Sequence, residues 1–283
     1  MLAPMSFHPA RIIEVQRRTR RTYVIRAHCP DFAGTEAASP FTAGQYFSVT
    51  PELMPTLVRH YSAALPPTPE GLLEFHISIP EPCPPDSGTR QLLATVRVGD
   101  TWQISNPRGS LSLPDQPSFL VADGTGLAPL KALILARAEQ SNPLPVHLLM
   151  AADSPGELYD LRFMAHLAHH LPFLTLTTAV EAYDDAPFTW PTLDCSSPQA
   201  PIPYLGTAAE VAARSTRFHD RTIVLSGGTE MLEETVSALQ TAGVTSEILY
   251  DKITDAQSSP AMKRSRFARA TSSGNCCGGD FIK

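Results

Sequence analysis

The sequence predicts two domains: an antiparallel β-barrel over residues 7–115, followed by an α/β domain over 116–253 built on a five-stranded parallel sheet. Three observations lead there. The chain has 283 residues, where an average domain has roughly 150. Before Pro117 the apolar residues fall in short, turn-bounded runs, several with period-two alternation. After it, apolar runs alternate with helical segments, the texture that parallel strands and their crossovers require.

In the first part ARIIEV (10–15), TYVIRAHC (22–29), GQYFSV (44–49), LLEFHISI (72–79) and DTWQIS (100–105) read as strands, with RHYS (59–62) ending another. Five or six strands of this kind close into a barrel or sandwich. One helical run, TRQLLATV (89–96), interrupts them. The second part reads as SFLVA (118–122), a helix over 127–140, VHLLMAA (146–152), a helix over 157–170, and LTLTTAV (174–180). A Pro/Asp/Ser-rich stretch, 183–204, reads as a long irregular loop. The series resumes with a helix near 207–216, TIVLS (222–226), a helix over 229–241 and SEILYDKI (246–253). Residues 254–283, rich in Ser, Ala and Gly, read as a disordered tail.

Composition excludes several classes. At 43% apolar and 18% charged residues the chain has ample core material. It carries no run of eighteen apolar residues and no secretory n- and h-region at its start, so neither a membrane span nor Sec export is expected, and a cytoplasmic location is. The net charge of −6 is concentrated in residues 116–253, which hold seven basic and sixteen acidic side chains. An acidic body offers no footprint for nucleic acid. The five cysteines, at 29, 83, 195, 276 and 277, lack zinc or iron–sulfur spacing and fit a reducing compartment.

Four short stretches could carry chemistry. In RHYS, Arg59 can fork onto a phosphate, Tyr61 offers a flat face, and Ser62 offers a hydroxyl to a ring nitrogen. Alone, the motif fits a surface arginine beside a core tyrosine better. In GTRQLL, Gly88 allows a close turn, and the N–H groups at Thr89 and Arg90 would open a helix whose N-terminus suits phosphate; a plain cap by Ser87 or Thr89 is the competing reading. VADGTGLAP (121–129) runs from a strand through Gly124, Thr125 and Gly126 into a helix, but Pro129 stands where a dinucleotide fingerprint has its third glycine. LSGGTEM (225–231) places Ser226, Gly227 and Gly228 at the carboxyl end of a parallel strand, where open α/β sheets bind ligands; a tight turn capped by Thr229 is the plainer alternative.

Taken together and in order, FTAGQYFSV, RHYS, GTRQLL, VGD, NPRGSLSL, GTGLAP and SGGTEM resemble the landmarks of the ferredoxin–NADP reductase superfamily, over about residues 8–253. The resemblance implies a barrel that binds FAD and an α/β domain that binds a nicotinamide dinucleotide. It assigns Arg59 to the FAD pyrophosphate, Tyr61 to stacking on the flavin, and Ser62 to the neighbourhood of flavin N5, with His60 between them. The segment His76–Ile79, with His76, Ile77 and Ser78 as its cofactor contacts, would flank the ribityl chain, while Gly88, Thr89 and Arg90 would hold the flavin phosphates. Gly124, Thr125, Gly126 and Pro129 would receive the dinucleotide, and Ser226, Gly227 and Gly228 would approach the nicotinamide. Tyr61, Ser62 and Ser226 are thus the expected catalytic positions; no metal site is expected.

Three departures stand out. Ser226-Gly227-Gly228 replaces a frequent Cys-Gly-Pro, which should alter rate without abolishing activity, since hydride transfer is the cofactor's chemistry. The aromatic end that covers the flavin in plant-type members is missing, leaving Tyr250 as the nearest candidate cover. Asp123 replaces a glycine that often precedes GTG.

The cosubstrate is expected to be NADH rather than NADPH. A 2′-phosphate needs a cation beyond the second and third parallel strands, yet no Lys or Arg occurs from Pro172 to Ala213, while Asp153, Glu181, Asp184 and Asp185 could meet a ribose. Arg162 and Arg214 are the residues best able to reverse that.

Weaker signals have plainer explanations. His166, His169 and His170 read as solvated helix histidines, with no carboxylate or cysteine to complete a metal site. Arg17, Arg18, Arg20 and Arg21 form a basic turn that could dock an acidic partner, although a solvated hairpin explains it more simply. The functional expectation is an NADH-dependent flavoprotein reductase serving a separate electron acceptor, such as a ferredoxin, haem or oxygenase component. Its alternatives are a free-flavin or ferric-chelate reductase, a non-catalytic electron-transfer subunit of a larger complex, and a nucleotide-binding regulatory module.

Overall fold

A computed structural model of the chain describes residues 6–183, 201–215 and 220–251, together with a short strand at Lys263–Ser265. Six strands form one antiparallel sheet: β1 (Phe7–Arg17), β2 (Thr22–His28), β3 (Tyr46–Pro51), β4 (Arg59–Ser62), β5 (Leu72–Ser78) and β6 (Thr101–Ser105), in the order β4-β3-β6-β1-β2-β5. The two edges meet in a single bridge between Ala63 and Phe75, where Ala64 N–H donates to Glu74 C=O at 2.8 Å, so the sheet curls into a nearly closed barrel. The period-two residues fill it: Ile12, Ile25, Phe47, Phe75, Trp102 and Ile104 are at most 1% exposed. Helix α1 (Gly88–Thr95) turns Leu92 and Leu93 onto this core.

The second sheet sets β7 (Ser118–Asp123) in its middle. The chain first runs outward through β8 (Val146–Ala152), β9 (Leu174–Val180) and β10 (Tyr204–Leu205), then returns to the other side of β7 with β11 (Thr222–Ser226) and β12 (Ile248–Tyr250). These six are parallel, and β13 (Lys263–Ser265) pairs antiparallel to β12. Strand side chains alternate between two helical layers. Leu120 and Ala122 pack in the cluster that includes residues of α2 (Leu127–Ala138) and α3 (Leu161–His170), whereas Phe119 and Val121 pack in the one that includes α4 (Ala208–Arg214) and α5 (Thr229–Thr241).

The expected barrel and parallel sheet are both present, with three differences of detail. The sheet has seven strands where five were expected, because Tyr204–Leu205 leaves the supposed loop to pair with Ala179–Val180, and β13 adds an edge within the supposed tail. The helix expected from 157 begins at Leu161: Pro155–Glu157 form a 3-10 turn and Asp160 adopts a left-handed φ of 55°, which an α-helix cannot continue through. His166, His169 and His170 are exposed on α3, and among the described residues they belong to no metal-competent group. Residues 184–200 and most of 254–283, with Asp184, Asp185, Cys195, Cys276 and Cys277, lie outside the described residues.

Candidate functional site: a cleft between the barrel and the parallel sheet

The strand order reverses at β7, so the carboxyl ends of β7 and β11 open a crevice, the position at which sheets of this kind hold ligands. The barrel closes its other side. The resulting cavity, about 290 Å³, is lined by His60, Tyr61, Ser62 and His76 from the barrel, and by Asp123, Thr125, Gly126, Ala128, Pro129, Ser226, Gly227 and Gly228 from the sheet. Three of the four stretches singled out in the sequence therefore face one another across it.

β4 positions its residues by pairing with β3, Tyr61 opposite Phe47 and Ser62 opposite Tyr46. Tyr61 leans on the barrel core, its ring centroid 6.2 Å from that of Phe75, and His60 Nδ1 lies 3.0 Å from Ser48 Oγ. The Arg59 guanidinium lies beside Gly88: a Cβ on Gly88 would stand 2.8 Å from Arg59 Nη2 and 2.4 Å from Leu57. Glycine here leaves room for the Arg59 and Leu57 side-chain ends against the amino end of α1. Ser87 at the cap position makes no side-chain hydrogen bond to the helix, so the competing reading of a Ser87 cap fails, and a cation and a helix N-terminus converge where an anion would be stabilised. A further cavity of about 360 Å³ lies along α1, with Arg17, Arg20, Arg21 and Arg90 around Tyr23 and Ile79.

On the opposite wall the two glycine turns touch. A Cβ on Gly126 would stand 2.0 Å from the Ser226 carbonyl oxygen, so the backbones of the β7–α2 and β11–α5 connections are packed directly on each other. Gly124 takes a φ of 49°.

Beneath the cleft lies a cluster of charges that the sequence did not reveal. Lys131 Nζ donates to Glu74 Oε1 and to Asp160 Oδ2, each at 2.8 Å, and Arg26 donates to Glu74 Oε2 at 2.7 Å. His76 joins it, Nε2 at 2.9 Å from Glu74 Oε1 and Nδ1 at 2.9 Å from Tyr159 Oη. Burial by itself would push the Glu74 carboxyl up, but the hydrogen bonds from His76 and Lys131 and the Lys131 charge outweigh it and hold Glu74 well below the usual carboxylate range. Burial drives His76 the other way, toward the neutral imidazole. With Glu74 as acceptor, Nε2 carries the proton and Nδ1 accepts from the tyrosine.

Adjoining the cleft is a second cavity, about 440 Å³, which shares Asp123 and Gly228 with it and adds Glu181, Thr207, Glu230, Met231 and Glu234. It is acidic. Arg214 is turned away into hydrogen bonds with the carbonyls of Glu210 and Leu205, at 3.2 and 3.1 Å. Asp153 pairs with Arg21 instead of facing this cavity.

Several expected positions fall elsewhere. Ile77 is 2% exposed inside the barrel, because strand alternation sends it opposite to His76. Ser78 is half-buried, opposite Thr22. Tyr250 packs beside the α4–α5 core cluster and lines neither cavity of the cleft; its neighbour Asp251 instead accepts from Ser110 N–H at 3.1 Å. The basic turn is not a free docking surface: Arg18 pairs with Asp160 at 3.4 Å, Arg20 with Glu81 at 2.8 Å, and Arg21 with Glu81, Asp153 and Glu157. No helix among the described residues is long and apolar enough to cross a membrane.

No family model matches the chain. Among curated proteins it is 31% identical, over 181 residues, to the ferredoxin–NAD(P)+ reductase component of the naphthalene 1,2-dioxygenase/salicylate 5-hydroxylase systems of a Ralstonia species; the match covers 61% of this chain and 52% of that protein. The chain spans about half the length of the curated relatives it matches first. Among solved structures it superposes on the ferredoxin reductase of carbazole 1,9a-dioxygenase with a TM-score of 0.68 at 23% identity, covering 86% of this chain and 68% of the other. It also superposes on a Neisseria gonorrhoeae ferredoxin–NADP+ reductase with bound FAD and NADP, with a TM-score of 0.61 at 18% identity over 84% and 92% of the two chains. With the barrel, the parallel sheet and the ordered motifs, these likenesses point one way: the chain is similar in sequence to ferredoxin–NAD(P)+ reductase components over 61% of its length, and it shares the fold of ferredoxin reductases and ferredoxin–NADP+ reductases.

Proposed function

We propose that the protein is a flavoprotein reductase that moves a hydride from NADH to FAD and passes the electrons to a separate acceptor protein. The observation that carries this is the cleft itself, in which Tyr61, Ser62 and His76 of the barrel face the Gly126 and Ser226–Gly228 turns of the sheet. Its relatives are reductase and electron-transfer components of oxygenase systems, which is the kind of acceptor proposed here.

The residues present fit FAD. The diphosphate would be held by Arg59 and the N–H groups of Gly88, Thr89 and Arg90, where Gly88 carries no side chain against the Arg59 guanidinium. Arg90 and the arginines of the β1–β2 turn add positive charge along α1. Tyr61 offers a ring face and Ser62 a hydroxyl. When bound, FAD supplies a carrier that accepts two electrons and releases them singly. The protein's contribution is position: the Gly126–Ser226 contact packs the two glycine turns on each other across the cleft from Tyr61 and Ser62 of the barrel, and Ser226 puts a hydroxyl there in place of a thiol. On this reading residues 7–115 form the flavin domain and 116–253 the nucleotide domain, in a cytoplasmic protein.

The acidic second cavity favours NADH. Glu181, Glu230, Glu234 and Asp123 surround the place a dinucleotide would extend into, and among the described residues that line it no cation offsets a 2′-phosphate. The test is steady-state turnover of the FAD-loaded protein with NADH and with NADPH, using ferricyanide, free FMN, a ferric chelate and a ferredoxin as acceptors. The proposal expects NADH to be preferred and the ferredoxin to be reduced with a higher specificity constant than FMN or the chelate. Preference for the small acceptors would make it a free-flavin or ferric-chelate reductase. No turnover would leave a subunit without catalysis of its own.

A further inference from the structure

Asp123 has no structural employment. It sits at the end of β7, at the N-cap position of the Gly124–Gly126 turn, where an aspartate ordinarily accepts a backbone N–H, yet its side chain makes no cap hydrogen bond. It lines both cavities, at the point where the cleft passes into the acidic one. Among the described residues, the charged or titratable groups that line that point are Glu181 just beyond β9, Glu230 and Glu234 on α5, and His60, Tyr61 and His76 from the barrel, while Asp153 just beyond β8 and Arg21 from the β1–β2 turn, paired with each other, act on it through their charges. Among the described residues Arg21 is the one cation in that set, and it is already engaged by Asp153, Glu81 and Glu157. The residue at this position therefore adds a carboxyl to an already acidic crevice, and among the described residues no donor ties it down.

We infer that Asp123 is a charge-selectivity residue of the cleft, which admits anionic dinucleotides when its carboxyl is protonated and opposes them when it is ionised. The inference rests on the reading of the cleft as a dinucleotide site. Its physical basis is that a dinucleotide brings a diphosphate, and NADP+ a further phosphate, into a crevice partly screened from water, where like charges repel more strongly than in bulk solvent. Burial, together with Asp153 and Glu181, pushes the Asp123 carboxyl up to about 6, against the pull of Arg21, so the change in its charge falls within the range of ordinary assays. The expected dependence is a loosening of dinucleotide binding as pH rises through that value, since the ligand-admitting form is the protonated one. Proton uptake linked to binding follows from the same relation.

The experiment is calorimetric titration of the full-length, FAD-loaded protein with NAD+ and with NADP+ at pH 5.5 and 7.5, on wild type, Asp123→Asn and Asp123→Gly. Asn preserves shape and Gly tests the backbone, so a folding defect in one leaves the other informative. The wild-type Kd for NAD+ should rise roughly tenfold between the two pH values, and both variants should lose most of that change and bind NAD+ roughly tenfold tighter at pH 7.5. NADP+ should gain more than NAD+ from either substitution. Variants that keep the wild-type affinity and pH dependence would overturn the role of Asp123 while leaving the cleft as a dinucleotide site. No binding by any of the three proteins at either pH would overturn the dinucleotide reading, and this inference with it.

Discussion

The Tyr159 hydroxyl lies 2.9 Å from Nδ1 of His76, so a residue beside α3 supports the barrel side chain that forms part of the cleft wall. Lys131 bridges the same divide, from α2 of the α/β part to Glu74 of the barrel. The two halves are thus locked by buried, hydrogen-bonded polar groups directly under the site, and the cleft's shape depends on them.

Removing Lys131 should be expensive. Lys131→Met leaves Glu74 and Asp160, 1% and 2% exposed at their side chains, without the cation between them. A loss of about 3–5 kcal/mol is expected, read from urea denaturation at pH 7. Tyr159→Phe should cost less, about 1–3 kcal/mol, because one buried hydrogen bond is lost and no charge is exposed.

Acid should weaken the same lock. The folded-state pKa of Glu74 is depressed below its ordinary value of 4.5, so its contribution is complete above that pH and is lost as pH falls below it. His76 is depressed below 6.5, so the unfolded chain takes up its proton first and stability declines from there downward. Thermal melts should show the transition falling as pH is lowered from 7 to 4, and Glu74→Gln should flatten the acid part of that slope from a lower starting stability.

Gly126→Ala should damage the cleft more than Gly228→Ala. The new methyl group at 126 would meet the Ser226 carbonyl at 2.0 Å, a backbone atom that cannot move aside, whereas nothing lies within 4 Å of a Cβ on Gly228. The expected result is a loss of at least tenfold in NADH specificity constant for the first, on the scale of a misplacement of about 1 Å, with FAD content retained. Gly228→Ala should change it little.

Arg59→Ala should act on the flavin alone. With the guanidinium beside Gly88 removed, FAD affinity should fall by roughly tenfold to a hundredfold, the scale of a charge-assisted hydrogen bond of about 1.5–3 kcal/mol. Fluorescence titration of apoprotein with FAD measures it directly, and far-UV dichroism should be unchanged.

Glu181→Lys should narrow the preference between cosubstrates. The residue lines the acidic cavity, where a cation would meet a 2′-phosphate. The ratio of specific constants, NADPH over NADH, should rise about tenfold.

Much of the architecture was legible because it follows from periodicity. The alternation of LLEFHISI and the order of strand and helix after Pro117 require no partner to be known, and β5, β7 and α5 fall where they were expected. The glycine turns were legible because only that residue permits the Gly126–Ser226 approach. What the sequence hid was pairing at a distance: Lys131 meets a glutamate 57 positions away, and Arg21 an aspartate 132 positions away, so a basic turn that looked exposed is in fact spent holding the two halves together. Ile77 was a different kind of miss. The same alternation that defines β5 places His76 and Ile77 on opposite faces, and applied residue by residue it would have removed Ile77 from the site. Asp160 is the one strained non-glycine turn at the head of α3, and no local residue pattern announces it.

The most direct test of the central claim is an anaerobic visible titration of the FAD-loaded protein with NADH. The flavin band should bleach at close to one equivalent of NADH, NADPH should require a large excess, and Arg59→Ala should bind less FAD while the fraction bound is still bleached. A protein that holds no FAD or FMN after reconstitution, or whose bound flavin stays oxidised in excess NADH, would contradict it.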